Sequence, residues 1–235
     1  MKVHRQSGAI LHQRPYRESS LLVDLFTRNY GRFMVIAKGC RRHKSRTQGL
    51  FMPFRPLLLG WAGKGKLPVL TSIEQPRFCA RLDSVNLACG YYMNELILKL
   101  LHRHDPHEVL YDKYQEAIAG LLEDRDPDTV LRVFEKHFLQ EIGFGLVLDH
   151  DVETGEAICE DRQYRYYSEK GPVQVLGNHH SVISGGTLTA LRLEQFHSAE
   201  QHVQARRLMR FLIDRQLSGA PLRSRRVLRE IRRYA

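Results

Sequence analysis

Between Gly31 and Gly49 the chain reads GRFMVIAKGCRRHKSRTQG, where Lys38, Arg41, Arg42, Lys44 and Arg46 follow one another without an acid. Side chains of this type make ionic contacts, not bonds: each guanidinium or ammonium group can neutralise a phosphate and release its counterions. Gly39 and Gly49 let the backbone come close to a ligand. Lys64 and Lys66 lie in a second glycine-rich turn, and Arg14 and Arg17 precede the first. The competing use for such a run is a solvated surface loop.

Bond-making chemistry finds little support. A metal nuclease needs clustered carboxylates near its basic groove, yet the first 77 residues hold only Glu18, Asp24 and Glu74, far apart. No enzymatic activity, catalytic residue or cofactor is expected. Cys40, Cys79, Cys89 and Cys159 are scattered without C-x-x-C spacing, which supports neither a disulfide framework nor a zinc knuckle.

The net charge of +10 is unevenly spread: residues 1–80 carry +12, residues 81–205 carry −10, and residues 206–235 carry +8. The basic head and tail suit a polyanion, whereas the acidic middle would repel one and should face protein. No apolar run approaches the roughly 20 residues that cross a bilayer. The N-terminus MKVHRQSGAI lacks the apolar segment of a signal peptide, so a cytoplasmic location is expected.

The elements that must hold these cations follow from the pattern. Ala9–His12, Leu21–Thr27, Phe33–Ala37, Phe54–Trp61 and Leu67–Ser72 read as five short strands, with Asn29-Tyr30-Gly31 as a hairpin turn. Five strands with long basic loops predict a small closed barrel of the OB type, which holds single strands with cationic loops and aromatic platforms. An SH3-like barrel fits the strand count nearly as well. Tyr16, Tyr30 or Phe33 could stack bases.

After Pro76-Arg77 the period turns helical. Ser84, Asp105-Pro106 with Glu108, and Asp126-Pro127 read as helix starts, and Gly143 as a stop. Residues 144–186 lose the helical period and read as an irregular or small β insertion. Helices over Thr187–Phe196 and Ser198–Leu217 follow, with a last one capped by Ser224. That last helix holds Arg225, Arg226, Arg229, Arg232 and Arg233, and with Arg223 just before its cap it is a second candidate phosphate-binding surface. The expected class is α+β: a five-stranded barrel domain at 1–77 and a helical domain at 78–235 with an insertion at about 146–186.

Several motifs together resemble the bacterial RecO family of DNA repair proteins. They are Pro15-Tyr16-Arg17-Glu18-Ser19-Ser20, Phe26-Thr27, Ala37-Lys38-Gly39 and Pro53-Phe54, then Tyr92-Met93-Asn94-Glu95-Leu96. Arg132 with Phe134-Glu135, Ile142-Gly143-Phe144-Gly145, and Pro221-Leu222-Arg223-Ser224-Arg225 continue the match in order. The resemblance implies an N-terminal OB-fold, binding of single- and double-stranded DNA, and annealing of complementary strands. It further implies work with RecR, and with RecF in some settings, to load RecA onto DNA coated by the single-stranded-DNA-binding protein. That coating protein would be engaged through its acidic, phenylalanine-ended tail.

The resemblance and the electrostatic isolation of Arg132 together propose it as the rim cation for that tail, beside Phe138 and Leu139. A solvated helix charge is the alternative. Zinc-binding members would place four cysteines in the insertion, where only Cys159 stands; His150, His179 and His180 have no trusted metal spacing, so no metal is expected. A generic OB-fold RNA-binding factor remains the other reading of the function.

Overall fold

A computed structural model describes residues 2–42, 45, 47–63, 65, 67–76, 81–82, 84–176 and 182–234. By packing the chain falls into two units, residues 1–123 with 222–235, and residues 124–221.

The first unit opens with five strands: β1 (Lys2–Tyr16), β2 (Ser20–Thr27), β3 (Gly31–Ala37), β4 (Leu57–Ala62) and β5 (Val69–Glu74). They close into a barrel in the order β1-β2-β3-β5-β4, and β1 returns to pair with β4. One long strand bordering both β2 and β4, and a parallel β3–β5 contact at Ile36 and Val69, make this an OB-fold. The N-terminal strand is far longer than the Ala9–His12 run expected. Residues Lys2 to Ser7 alternate poorly, because the register against β4 shifts between Val3 and Gln6, with Arg5 at φ 49°, and β1 passes from β4 to β2 at Gly8.

The barrel core follows the two-residue period. On β3, Phe33, Val35 and Ala37 face inward with Val23, Leu25, Leu59 and Trp61, while Arg32, Met34 and Ile36 face out. The β2–β3 turn needs glycine: Gly31 sits at φ 63°, and a Cβ there would come within 1.9 Å of the Asp105 carbonyl oxygen.

Helices α1 (Ser84–Leu100), α2 (Glu108–Leu122) and α6 (Arg223–Tyr234) complete this unit. The expected boundary near residue 77 marks the change of period; by packing, the barrel shares its unit with these helices. Phe26 of β2 meets the rings of Tyr111 and Tyr114 edge-on at 5.4 and 6.0 Å. Buried Asn94 donates to the Leu11 carbonyl at 2.9 Å and accepts from the Tyr114 hydroxyl at 2.8 Å, so β1, α1 and α2 share one polar network. Helix α2 begins at Glu108 after His107, not at an Asp105 cap, and His107 makes no side-chain capping bond.

The second unit holds α3 (Pro127–Glu141), a three-stranded sheet, α4 (Gly185–Leu193) and α5 (Ala199–Gln216). The sheet comprises β6 (Gln163–Tyr167), β7 (Gly171–Gln174) and β8 (Ile183–Ser184) in the order β7-β6-β8. It is the small β insertion that the loss of helical period foretold. Asp126 caps α3 by accepting from Thr129 N at 2.8 Å, with Pro127 at the first turn, and Ser198 caps α5. No helix among the described residues is long and apolar enough to cross a membrane.

Candidate nucleic-acid interface

The turn between β1 and β2 and the loop leaving β3 meet around an open cleft of about 910 Å³. Tyr16, Arg17, Ile36, Lys38 and Arg42 line it, with Glu18 as its acid. Backbone bonds fix the walls to each other. Arg41 N donates to the Ser19 carbonyl at 3.0 Å, and its Nη1 donates to the Arg17 carbonyl at 3.3 Å. The loop is rooted in the core by Cys40, which is 3% exposed and whose thiol donates to the Ala37 carbonyl. Burial pushes that thiol's pKa up, which makes it a packing group and not a nucleophile. Gly39 at φ 68° turns the chain, and Arg42 N donates back to its carbonyl at 3.2 Å.

Of the sequence-proposed phosphate contacts, the structure therefore brings Arg17, Lys38 and Arg42 into one cleft and ties Arg41 beside it. Arg14 is exposed on β1, in one cross-strand row with Leu22 and Ile36. Lys44, Arg46, Lys64 and Lys66 lie outside the described residues. Among the aromatics, Tyr16 lines the cleft with the Arg17 guanidinium 5.3 Å from its ring centroid. Phe33 cannot stack a base: it is 2% exposed because it points into the barrel, and Tyr30 is held edge-on to Trp61 at 5.1 Å.

The C-terminal cations are held by a residue that sequence reading missed. The Glu95 carboxylate of α1 accepts from Arg223 N, Ser224 N and Ser224 Oγ at 3.0, 2.9 and 2.6 Å. It caps α6 from another helix, the role expected of Ser224, which is instead inside the helix. Arg223 and Arg226 are exposed, and Arg225 stands 5.7 Å over the Tyr92 ring.

Burial works to raise the Glu95 pKa, but the bonds from Ser224 and Arg223 and the charge of Lys99 hold it below its ordinary 4.5. The capped arrangement is thus fully stabilised above that ordinary value and loses the contribution as pH falls through the depressed one. At neutral pH, Glu95→Gln should expose α6 to trypsin faster than the native chain. In the native chain, α6 amide NMR signals should hold above pH 4.5 and shift only below it.

In the second unit Arg132 is buried, 4% exposed, and pairs with Glu135 through contacts of 2.7 and 2.9 Å. Phe138 and Leu139 are fully buried on the same helix. Arg132 is thus neither a surface rim cation in this arrangement nor a solvated helix charge. Its Nη1 has no hydrogen-bond partner among the described residues.

The insertion is tied together by backbone bonds to one carboxylate. Buried Asp151 accepts from the backbone N–H groups of Glu153, Thr154 and Gln174 at 2.8, 3.1 and 2.6 Å. No group of three or more metal-ligating side chains converges among the described residues; His179 and His180 lie outside them.

Residues 1–77 match the family described as Recombination protein O N terminal, and residues 81–226 the one described as Recombination protein O C terminal. The chain is 42% identical over 235 residues to DNA repair protein RecO of Azoarcus sp. (strain BH72), covering 98% of this chain and 97% of that one. It is 41% identical over 228 residues to DNA repair protein RecO of Nitrosospira multiformis, covering 96% and 94%. With DNA repair protein RecO of Methylococcus capsulatus it shares 42% over 220 residues, covering 94% and 90%. With its OB-fold, its cationic cleft and relatives matched along nearly their whole length, the chain belongs to the RecO family of DNA repair proteins.

Proposed function

We propose that this protein is a recombination mediator in DNA repair. It binds single- and double-stranded DNA, anneals complementary strands, and works with RecR and RecF to load RecA onto DNA coated by the single-stranded-DNA-binding protein. The observation that carries this reading is the cleft where Arg17, Lys38 and Arg42 converge beside Tyr16. Annealing breaks no covalent bond. Two polyanions repel, and a cationic surface that replaces their counterions lowers that repulsion. Contacts to phosphates carry no sequence information, which suits a protein that must act at any break.

In this reading residues 1–77 supply the main DNA surface and α6 a second one through Arg223, Arg225 and Arg226. The acidic middle, residues 81–205, faces protein partners, in the cytoplasm and at the nucleoid. The acidic tail of the coating protein is assigned to Arg132, Phe138 and Leu139. The support is a buried guanidinium with an unsatisfied Nη1 on the helix that also buries Phe138 and Leu139, where a carboxylate would gain strength if α3's surroundings opened to admit it.

Annealing of complementary oligonucleotides, coated beforehand with the single-stranded-DNA-binding protein, tests the reading. Annealing should proceed at moderate salt and fall when that protein lacks its acidic tail. Annealing indifferent to the tail would remove the partner assignment, and no annealing would remove the mediator reading. A triple variant, Arg17→Gln/Lys38→Gln/Arg42→Gln, should reduce the salt slope of single-strand binding by about 2, since each lost phosphate contact is worth about 0.7.

A further inference from the structure

A second pair of cations lies at the other end of β3. The segment after α1 crosses the β2–β3 turn, where His104 N donates to the Arg32 carbonyl at 2.9 Å and Arg103 forms a bridge with Arg32. Arg32 is half-buried and its Nη2 donates to the Leu101 carbonyl at 3.2 Å, while its buried Nε has no hydrogen-bond partner. The Arg103 side chain is exposed, and the His104 ring stacks on Phe33 at 5.5 Å, which fixes the crossing segment against the barrel.

Two guanidinium groups so held repel each other, and the fold does not neutralise them. Burial and the charge of Arg103 hold the Arg32 pKa below its ordinary value, opposed by Asp24. Nearby acids are engaged elsewhere, Glu108 and Asp112 with Arg28 and Asp105 with His107, and Asp24 acts on Arg32 without forming an ion pair with it. Among the described residues no acid forms an ion pair with Arg32 or Arg103. Such a pair is suited to an anion from outside.

The outward face of β3 connects this pair to the cleft. Arg32, Met34 and Ile36 share that face, and Ile36 lines the cleft with Lys38. From Arg32 to Lys38 the strand advances about 20 Å, within the reach of the roughly 4–16 nucleotides that one OB-fold holds. Along β3 the face offers cations at its two ends with Met34 and Ile36 between them, and a single strand would pass beside the largely buried Asp24, the cross-strand neighbour of Met34.

We infer that Arg32 and Arg103 form a second phosphate-binding subsite, taking the backbone of the same single strand that enters between Arg17, Lys38 and Arg42. The inference rests on the reading of the barrel as a DNA-binding domain.

The full chain should be titrated with a fluorescent single-stranded thymidine oligonucleotide over a salt series, by anisotropy. Arg103→Gln and Arg32→Gln should each reduce the slope of log K against log salt by about 0.7, and Arg32→Lys should restore most of the loss. Lys38→Gln/Arg42→Gln is measured in parallel. A slope lowered by the loop pair but unchanged by Arg103→Gln overturns the subsite and leaves the barrel reading standing. Slopes unchanged in every variant, or no binding, overturn both. If Arg32→Gln melts before the assay, Arg103→Gln decides the matter alone, because its side chain is exposed and its loss leaves packing intact.

Discussion

Glu135→Ala is expected to destabilise the protein by about 3–5 kcal/mol. The substitution leaves the Arg132 guanidinium charged, with 5% of its side chain exposed and its ion-pair partner removed. Removing a buried charge from water costs several kcal/mol, which the paired carboxylate offsets; without it the cost is uncompensated. Urea unfolding monitored by circular dichroism checks the loss, as a drop in midpoint at unchanged slope. The double variant Arg132→Met/Glu135→Leu removes both charges at once, and should recover most of the stability. It also separates two roles. If Arg132 serves the partner's tail, the double variant should fold yet fail to bind a tail peptide; full tail affinity in that variant would assign Arg132 to folding alone.

Asn94→Leu should cost about 3 kcal/mol, because buried partners left without a hydrogen bond each lose roughly 1–3 kcal/mol. Asn94 is 1% exposed and serves both the Leu11 carbonyl and the Tyr114 hydroxyl. Burial, with the neighbouring Tyr111, pushes the Tyr114 pKa far above its ordinary value, so this hydroxyl stays protonated and must donate. Tyr114→Phe removes only the donor and should cost about 1 kcal/mol. Because the network joins β1 to α1 and α2, both variants should lower the barrel and these helices in one transition. Separate transitions for barrel and helices would contradict this shared packing.

Sequence alone determined the elements whose signals are local. The alternation Phe33, Val35, Ala37 set the inward face of β3, and Asp126-Pro127 and Ser198 set helix starts through bonds to amides three residues away. The same locality made the 38–46 charge run readable, since it is composition over a short span. The ordered motifs from Pro15 to Arg225 carried the family.

Tertiary structure decided whatever depends on groups far apart in the chain. Strand β1 serves two partners only because the barrel closes on it, so its polar first half could not look like a strand by period. The cap on α6 comes from Glu95, more than a hundred residues before it, and no local pattern marks such a pairing. Burial turned Arg132 from an isolated charge into half of an internal ion pair, and took Phe33 from the list of stacking rings into the core. Folding likewise placed Arg103 beside Arg32, cations separated by a whole helix in sequence, because a segment leaving α1 packs across a turn where only glycine fits. Charge type is written in the chain; which charges share one field is fixed only when distant backbone is hydrogen-bonded together.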